Sequence, residues 1–125
     1  MKSILFMDDD PSIRDGIAAI LKLEGYDVDL ASDGNEAIEL YTRRKQNAKP
    51  YDAVIMDLTI PGGMGGRIAI SELLKIDPGV RAIVTSGYYA DPVVANYSQF
   101  GFIDVVVKPY KIGKLVEAIT RAAGR

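Results

Sequence analysis

The sequence predicts an α/β domain: a five-stranded parallel sheet with helices on both faces. Two observations carry this. Short apolar runs alternate with longer amphipathic stretches five times along the chain. The junctions also carry start and stop residues of the expected kind, with Asp or Asp-Pro ahead of helical stretches and Gly or Pro behind them.

The first run, Ile4-Leu5-Phe6-Met7, reads as a buried strand. Asp10-Pro11 supplies an N-cap and a proline for the first helical position. Ile13, Ile17, Ile20 and Leu21 then form a stripe at helical spacing, which Gly25 stops. Tyr26, Val28 and Leu30 alternate with Asp27 and Asp29, a second strand with one wetter face. Asp33 and Glu36 have capping-box spacing. The helix they open carries Ala37, Ile38 and Tyr41, and ends in Arg43-Arg44-Lys45, where positive charge suits the helix dipole. Lys49-Pro50 closes that unit.

Ala53-Val54-Ile55-Met56 is the third strand. A glycine-rich loop, Pro61 to Gly66, leads to a helix over about Gly66 to Ile76, with Ile70, Leu73 and Leu74 facing inward. Asp77-Pro78-Gly79 is a turn. Ala82-Ile83-Val84 is the fourth strand. Asp91-Pro92 repeats the cap signal for a short helix with Val93, Val94 and Tyr97, stopped near Gly101. Val105-Val106-Val107 is the fifth strand, and a last helix runs from about Ile112 to Ala123 with Leu115, Val116 and Ile119 on one face. One domain over residues 1–125 is expected, in the flavodoxin-like strand order 2-1-3-4-5, given right-handed crossovers.

Composition narrows the chemistry. The 125 residues include no His, Cys or Trp. A Ser-His-Asp triad, thiolate metal sites and a disulfide framework are therefore excluded. Fifteen basic and 17 acidic side chains leave a net charge of −2, unsuited to a binder held mainly by nucleic-acid or membrane electrostatics. No apolar run approaches a membrane span, and the start MKSILFMDDD lacks a signal-peptide pattern. The expectation is a cytoplasmic domain without nucleic-acid or membrane partners.

In sheets of this kind ligands bind beyond the carboxyl ends of the strands. Those ends carry Asp8, Asp9 and Asp10, then Asp57, then Thr85 and Ser86, then Lys108. Asp10 is expected to be a helix cap. Each of the others alone is an ordinary strand exit; their convergence is the signal. Clustered carboxylates repel, and a hard cation relieves the repulsion; an all-oxygen set favours Mg²⁺, Mn²⁺ or Ca²⁺ over zinc. An ammonium and a hydroxyl beside them suit phosphoryl oxygens, and an Asp between metal and Lys is placed to attack phosphorus.

Four segments together resemble the receiver domain of two-component response regulators. They are Ile4-Leu5-Phe6-Met7-Asp8-Asp9-Asp10-Pro11, Val54-Ile55-Met56-Asp57-Leu58-Thr59-Ile60-Pro61-Gly62, Val84-Thr85-Ser86-Gly87 and Val107-Lys108-Pro109. The resemblance implies Asp57 as phospho-acceptor. It implies Asp8 and Asp9 as the acidic pair for Mg²⁺ (Mn²⁺ as substitute), with Asp57 and the Thr59 carbonyl completing the ligands. Ser86 matches the switch hydroxyl, with Thr85 as runner-up, and Lys108 matches the phosphate-binding lysine, joined to Pro109 by a cis bond. It further implies a histidine kinase or histidine phosphotransfer protein as donor, and a downstream protein on the face of the fourth helix, fifth strand and fifth helix. Slow self-dephosphorylation is expected, without other enzymatic activity. The glycine-rich loop is similar to those of receivers in hybrid sensor kinases, and the chain is expected to be either a stand-alone receiver or a segment of a larger kinase or regulator.

One position departs from the family pattern: Val105 stands where receivers usually carry Tyr or Phe, which leaves backbone shifts after Ser86, or Tyr88, Tyr89 or Tyr110, to carry the signal. Two other readings compete. Asp8-x-Asp10 resembles the start of a haloacid-dehalogenase-type phosphatase, but that reading gives Asp57 no role. A flavodoxin-like sheet suits FMN, but the acidic edge after the first strand suits its phosphate poorly.

Overall fold

The computed structural model describes residues 1–88 and 90–124. Tyr89, one of the tyrosines considered above, and Arg125 lie outside the described residues. The strands are β1 (Ser3–Met7), β2 (Asp27–Ala31), β3 (Ala53–Asp57), β4 (Ala82–Ser86) and β5 (Asp104–Val107). The helices are α1 (Pro11–Leu23), α2 (Gly34–Gln46), α3 (Gly66–Ile76), α4 (Pro92–Ala95) and α5 (Ile112–Ala123). All four strand pairings are parallel, in the order β2-β1-β3-β4-β5. The order is the expected one.

Burial explains the strand sequences. β1, β3 and β4 are central, covered on both faces and buried at every position, so they read as unbroken apolar runs. β2 and β5 are the edges and are only partly buried. The expected alternation in β2 is incomplete, since Leu30 is half-exposed like Asp29.

Successive strand residues point to opposite faces, and two cores follow. Ile4, Phe6, Ile55, Ile83 and Val106 pack with Ile17 and Leu21 of α1 and with Leu115 and Ile119 of α5. Leu5, Met7, Val54, Met56 and Val84 pack on the other face with Tyr41 of α2, Ile70 and Leu73 of α3, and Val93 of α4.

The predicted caps form. Asp10 accepts from the Ser12 N–H at 2.9 Å. Asp33 accepts from the Glu36 N–H at 3.0 Å, while Glu36 reaches back to the N–H of Ser32 rather than of Asp33. Gly25 follows the end of α1 with φ +94°, in the left-handed region that glycine enters without penalty. Arg44 does more than complement the α2 dipole. It stacks on Tyr51 (4.6 Å to the ring centroid), faces Asp29 at 3.5 Å and donates to Ser3 Oγ at 2.6 Å, tying α2 to the amino-terminal edge of the sheet.

The fourth helix is shorter than expected. After one turn the chain breaks at Asn96 (φ −124°, ψ 38°) and continues as a 3-10 turn over Tyr97–Phe100. Asn96 closes that turn: its backbone N–H and its side-chain amide both donate to the Pro92 carbonyl, at 3.0 and 3.1 Å, and two β-branched valines give the segment little helix propensity. Gly101 then turns the chain with φ +103°, and a Cβ there would fall on Leu74. Gly101→Ala is expected to lose at least about 1 kcal/mol in urea unfolding, from the left-handed backbone alone. An unchanged midpoint would contradict this packing.

Candidate functional site

The alternation that builds the cores also builds the site. Ile4 and Phe6 belong to the α1/α5 face, so Asp8 continues that face of β1. By the same count Asp57 follows Ile55, Thr85 follows Ile83, and Lys108 follows Val106. The register adds that Asp57 stands opposite Thr85, and that residues 8 and 57 are one step beyond the Met7–Met56 pair. Four strands thus deliver side chains to one layer at the carboxyl edge of the sheet.

Lys108 bridges that layer. Its Nζ donates to Asp8 Oδ2 at 2.8 Å and to Asp57 Oδ2 at 3.0 Å. The Lys108–Pro109 bond is cis, as the resemblance implied. Asp8 is buried, at 1% exposure, and its other oxygen accepts the Asp10 N–H at 3.0 Å. Asp9 is exposed. Carboxylate oxygens of Asp8, Asp9 and Asp57 lie within 4.8 Å of one another. Three hard oxygen donors at that spacing, with one of them open to solvent, fit a magnesium-sized cation that keeps some of its water.

The electrostatics match. Burial pushes the Asp57 carboxyl above its ordinary range. Lys108 and the Thr59 backbone act against that rise, and the Asp8 charge adds to it. Burial by itself would depress the Lys108 ammonium, yet its hydrogen bonds to Asp8 and Asp57 outweigh that and raise it. Tyr110 is also pushed up, chiefly by burial.

Ser86 is buried but lies on the opposite face, continuing Val84. Its Oγ accepts the Tyr88 N–H at 3.1 Å and donates to the Tyr88 carbonyl at 3.4 Å. Thr85 Oγ1 is buried with no hydrogen-bond partner among the described residues. Thr59 is exposed in the loop after β3. Asp10, as expected, is a cap and stands outside the cluster of three. Val105 packs with the α2/α3 core, opposite Val84.

The glycine-rich loop lies against α2. The Gly34 N–H donates to the Met64 carbonyl at 2.7 Å, and a Cβ at Gly65 would strike the Leu58 carbonyl. That close approach holds the loop folded directly behind Asp57. Two participants escaped sequence reasoning. Arg14, on the first turns of α1, donates to the Asp8 carbonyl at 2.8 Å and fixes the exit of β1. An apolar groove of about 570 Å³ between α1 and the β5–α5 loop is lined by Ile13, Ile17, Pro109, Tyr110 and Ile112, and reaches Lys108. The Ile13–Ile17 spacing was visible, but it served equally well as core.

A flavodoxin-like parallel sheet with three carboxylates and a lysine at its carboxyl edge defines a class of α/β domain with a cation-suited site at that edge. Comparison with known proteins makes the class specific. Residues 4–120 match the response regulator receiver domain, and the chain belongs to that family, the signalling domains of two-component systems. It is similar to the chemotaxis protein CheY of Thermotoga maritima, with 36% identity over 123 residues, 98% of each chain. Among solved structures, a receiver domain from Clostridium thermocellum superposes with a TM-score of 0.84 at 26% identity, covering 100% of this chain and 96% of that one. The response regulator TrrA of Thermotoga maritima, solved in complex with Mg²⁺ and BeF, gives 0.79 at 30% identity, covering 98% and 99%. No helix among the described residues is long and apolar enough to cross a membrane.

The raised Asp57 carboxyl has a consequence for stability. The folded protein holds that proton more tightly than the unfolded chain does. The resulting penalty is absent well below the ordinary value of 3.8, grows as pH rises from there towards the folded value, and is constant above it. Asp57→Asn is therefore expected to be more stable than wild type at neutral pH in chelator, with the advantage shrinking on acidification. Urea unfolding at about pH 7 and about pH 4 checks this. An advantage equal at both would contradict it.

Proposed function

We propose that this receiver takes a phosphoryl group from a phosphohistidine onto Asp57 in a Mg²⁺-dependent reaction and so switches a protein-binding face. The observation that supports this best is the Lys108 ammonium shared between the buried carboxylates of Asp8 and Asp57. It holds the acceptor in place and already stands where phosphoryl oxygens must be neutralised.

An Asp57 oxygen attacks phosphorus; the P–O bond forms as the P–N bond to the donor imidazole breaks. The bonding pair leaves with that nitrogen, which takes up a proton. Asp8, Asp9, Asp57 and the Thr59 carbonyl would hold the cation, which when bound supplies positive charge to the phosphoryl oxygens. Asp8 fixes Lys108, and Lys108 moves its hydrogen bond from Asp57 Oδ2 to a phosphoryl oxygen. The apolar groove that ends at Lys108 suits the donor, a histidine kinase or histidine phosphotransfer protein, since a protein seated there brings its imidazole to the acceptor. Later attack of water on the phosphorus breaks the P–O bond to Asp57, releases inorganic phosphate and restores the carboxylate.

The switch follows from Ser86. Its hydroxyl trades the Tyr88 backbone for a phosphoryl oxygen, and residues 87 and 88 move with it. With Val105 in place of an aromatic ring, the loop after β4 carries the signal to the face of α4, β5 and α5. Exposed Ile103 and Val107 there suit a downstream protein. A cytoplasmic place fits this chemistry.

Incubation with acetyl phosphate and Mg²⁺ is expected to add one phosphoryl group by intact mass. Asp57→Asn and chelation with EDTA should each abolish the adduct. An undiminished adduct on Asp57→Asn would sink the assignment. Turnover of a phosphomonoester lost in Asp8→Asn but kept in Asp57→Asn would favour the phosphatase reading instead.

A further inference from the structure

Thr85, the runner-up for the switch hydroxyl, occupies a place in the site layer to which the proposed reaction gives no role. It stands in register with Asp57, shares the α1/α5 face with Asp8, Asp57 and Lys108, and is 1% exposed. Its hydroxyl has no partner, the only buried side-chain polar atom in that condition among the described residues. Such a group weakens a fold, and Val would fill the same space without the loss. Its neighbours Ile83 and Val106 on that face are apolar.

Lys108 shows a matching vacancy in its hydrogen bonding. An ammonium has three N–H donors, and two go to Asp8 and Asp57. To reach Asp57, which is the register partner of Thr85, the Lys108 side chain must cross from β5 over β4, the strand that carries Thr85. One donor and one acceptor without assignments thus share one buried layer. Ser86 does not fill this place, because it lies on the other face and is bonded to Tyr88.

We propose that Thr85 is a positioning residue for Lys108: its hydroxyl accepts the third ammonium N–H as Lys108 leaves the Asp57 carboxylate for the incoming phosphoryl group. This rests on Asp57 being the acceptor. In the resting state Asp57 and Asp8 hold the ammonium. During transfer one Asp57 oxygen becomes bonded to phosphorus, and the Asp8 charge is shared with the cation. A neutral hydroxyl that accepts from the ammonium then keeps it from swinging to solvent.

The test compares wild type, Thr85→Val and Thr85→Ser in the full chain. Thermal unfolding in EDTA is read beside the rate of phosphorylation by acetyl phosphate with Mg²⁺, followed by intact mass. Thr85→Val is expected to melt higher than wild type, having lost the orphaned hydroxyl, yet to acquire phosphate about tenfold more slowly. Thr85→Ser, which keeps the hydroxyl, should restore most of the rate. A Thr85→Val protein as fast as wild type, or a Thr85→Ser protein as slow as Thr85→Val, would overturn the proposal. So would a lower melting temperature for Thr85→Val, which would mean the hydroxyl already has a partner. Failure of wild type itself to label would instead remove the acceptor reading and this inference with it.

Discussion

Two buried carboxylates, one from β1 and one from β3, are forced together by the sheet and share a single ammonium from β5. Everything else about the site follows from that crowding. Neither carboxylate is well hydrated, because Asp8 and Asp57 are both buried. One ammonium cannot neutralise Asp8, Asp9 and Asp57 together, so the layer keeps a deficit of positive charge. A deficit of that kind suits a hard cation, which is the basis of the phosphoryl-transfer reading proposed above. A fully satisfied salt-bridge network would be a better structural element and a poorer site.

The fold creates this crowding through strand register. Each of the three strands reaches the carboxyl edge on the same face, because side chains repeat every second residue. A slip of one residue in β3 would carry Asp57 to the α2/α3 face and leave Lys108 with Asp8 alone. The register is held from both sides. The central strands are apolar on both faces, and the loops beyond the edge are fixed by Arg14 on the Asp8 carbonyl and by Gly65 against Leu58. Comparing Ser86 with Thr85 shows how much one residue changes. Ser86 faces the α2/α3/α4 core and its hydroxyl is tied to the loop after β4 through Tyr88, whereas the Thr85 hydroxyl, on the face of the carboxylates, has no partner among the described residues.

Much of this was legible in the sequence. The unbroken runs Ile4–Met7 and Ala53–Met56 marked central strands, and Asp10-Pro11 and Asp91-Pro92, each followed by apolar residues at helical spacing, marked helix starts, because both signals are local. The coming together of Asp8, Asp57 and Lys108 was legible because strand order fixes which ends are neighbours. What escaped depends on contacts far apart in the chain or on fine conformation. The break at Asn96 lies in the backbone conformation of that one residue, φ −124° and ψ 38°. The role of Arg44 needs Tyr51 and Asp29 brought to it by three elements. The orphaned Thr85 hydroxyl is invisible until every possible partner has been placed.

The central claim, that the carboxyl edge of this sheet is built short of positive charge, is tested most directly by paramagnetic broadening of backbone amide signals during a Mn²⁺ titration. Broadening should begin at residues 8, 9 and 57–59 and be competed away by Mg²⁺. Broadening that begins instead at scattered surface carboxylates such as Glu39 and Glu72, with the residues around Asp57 left sharp, would contradict the account.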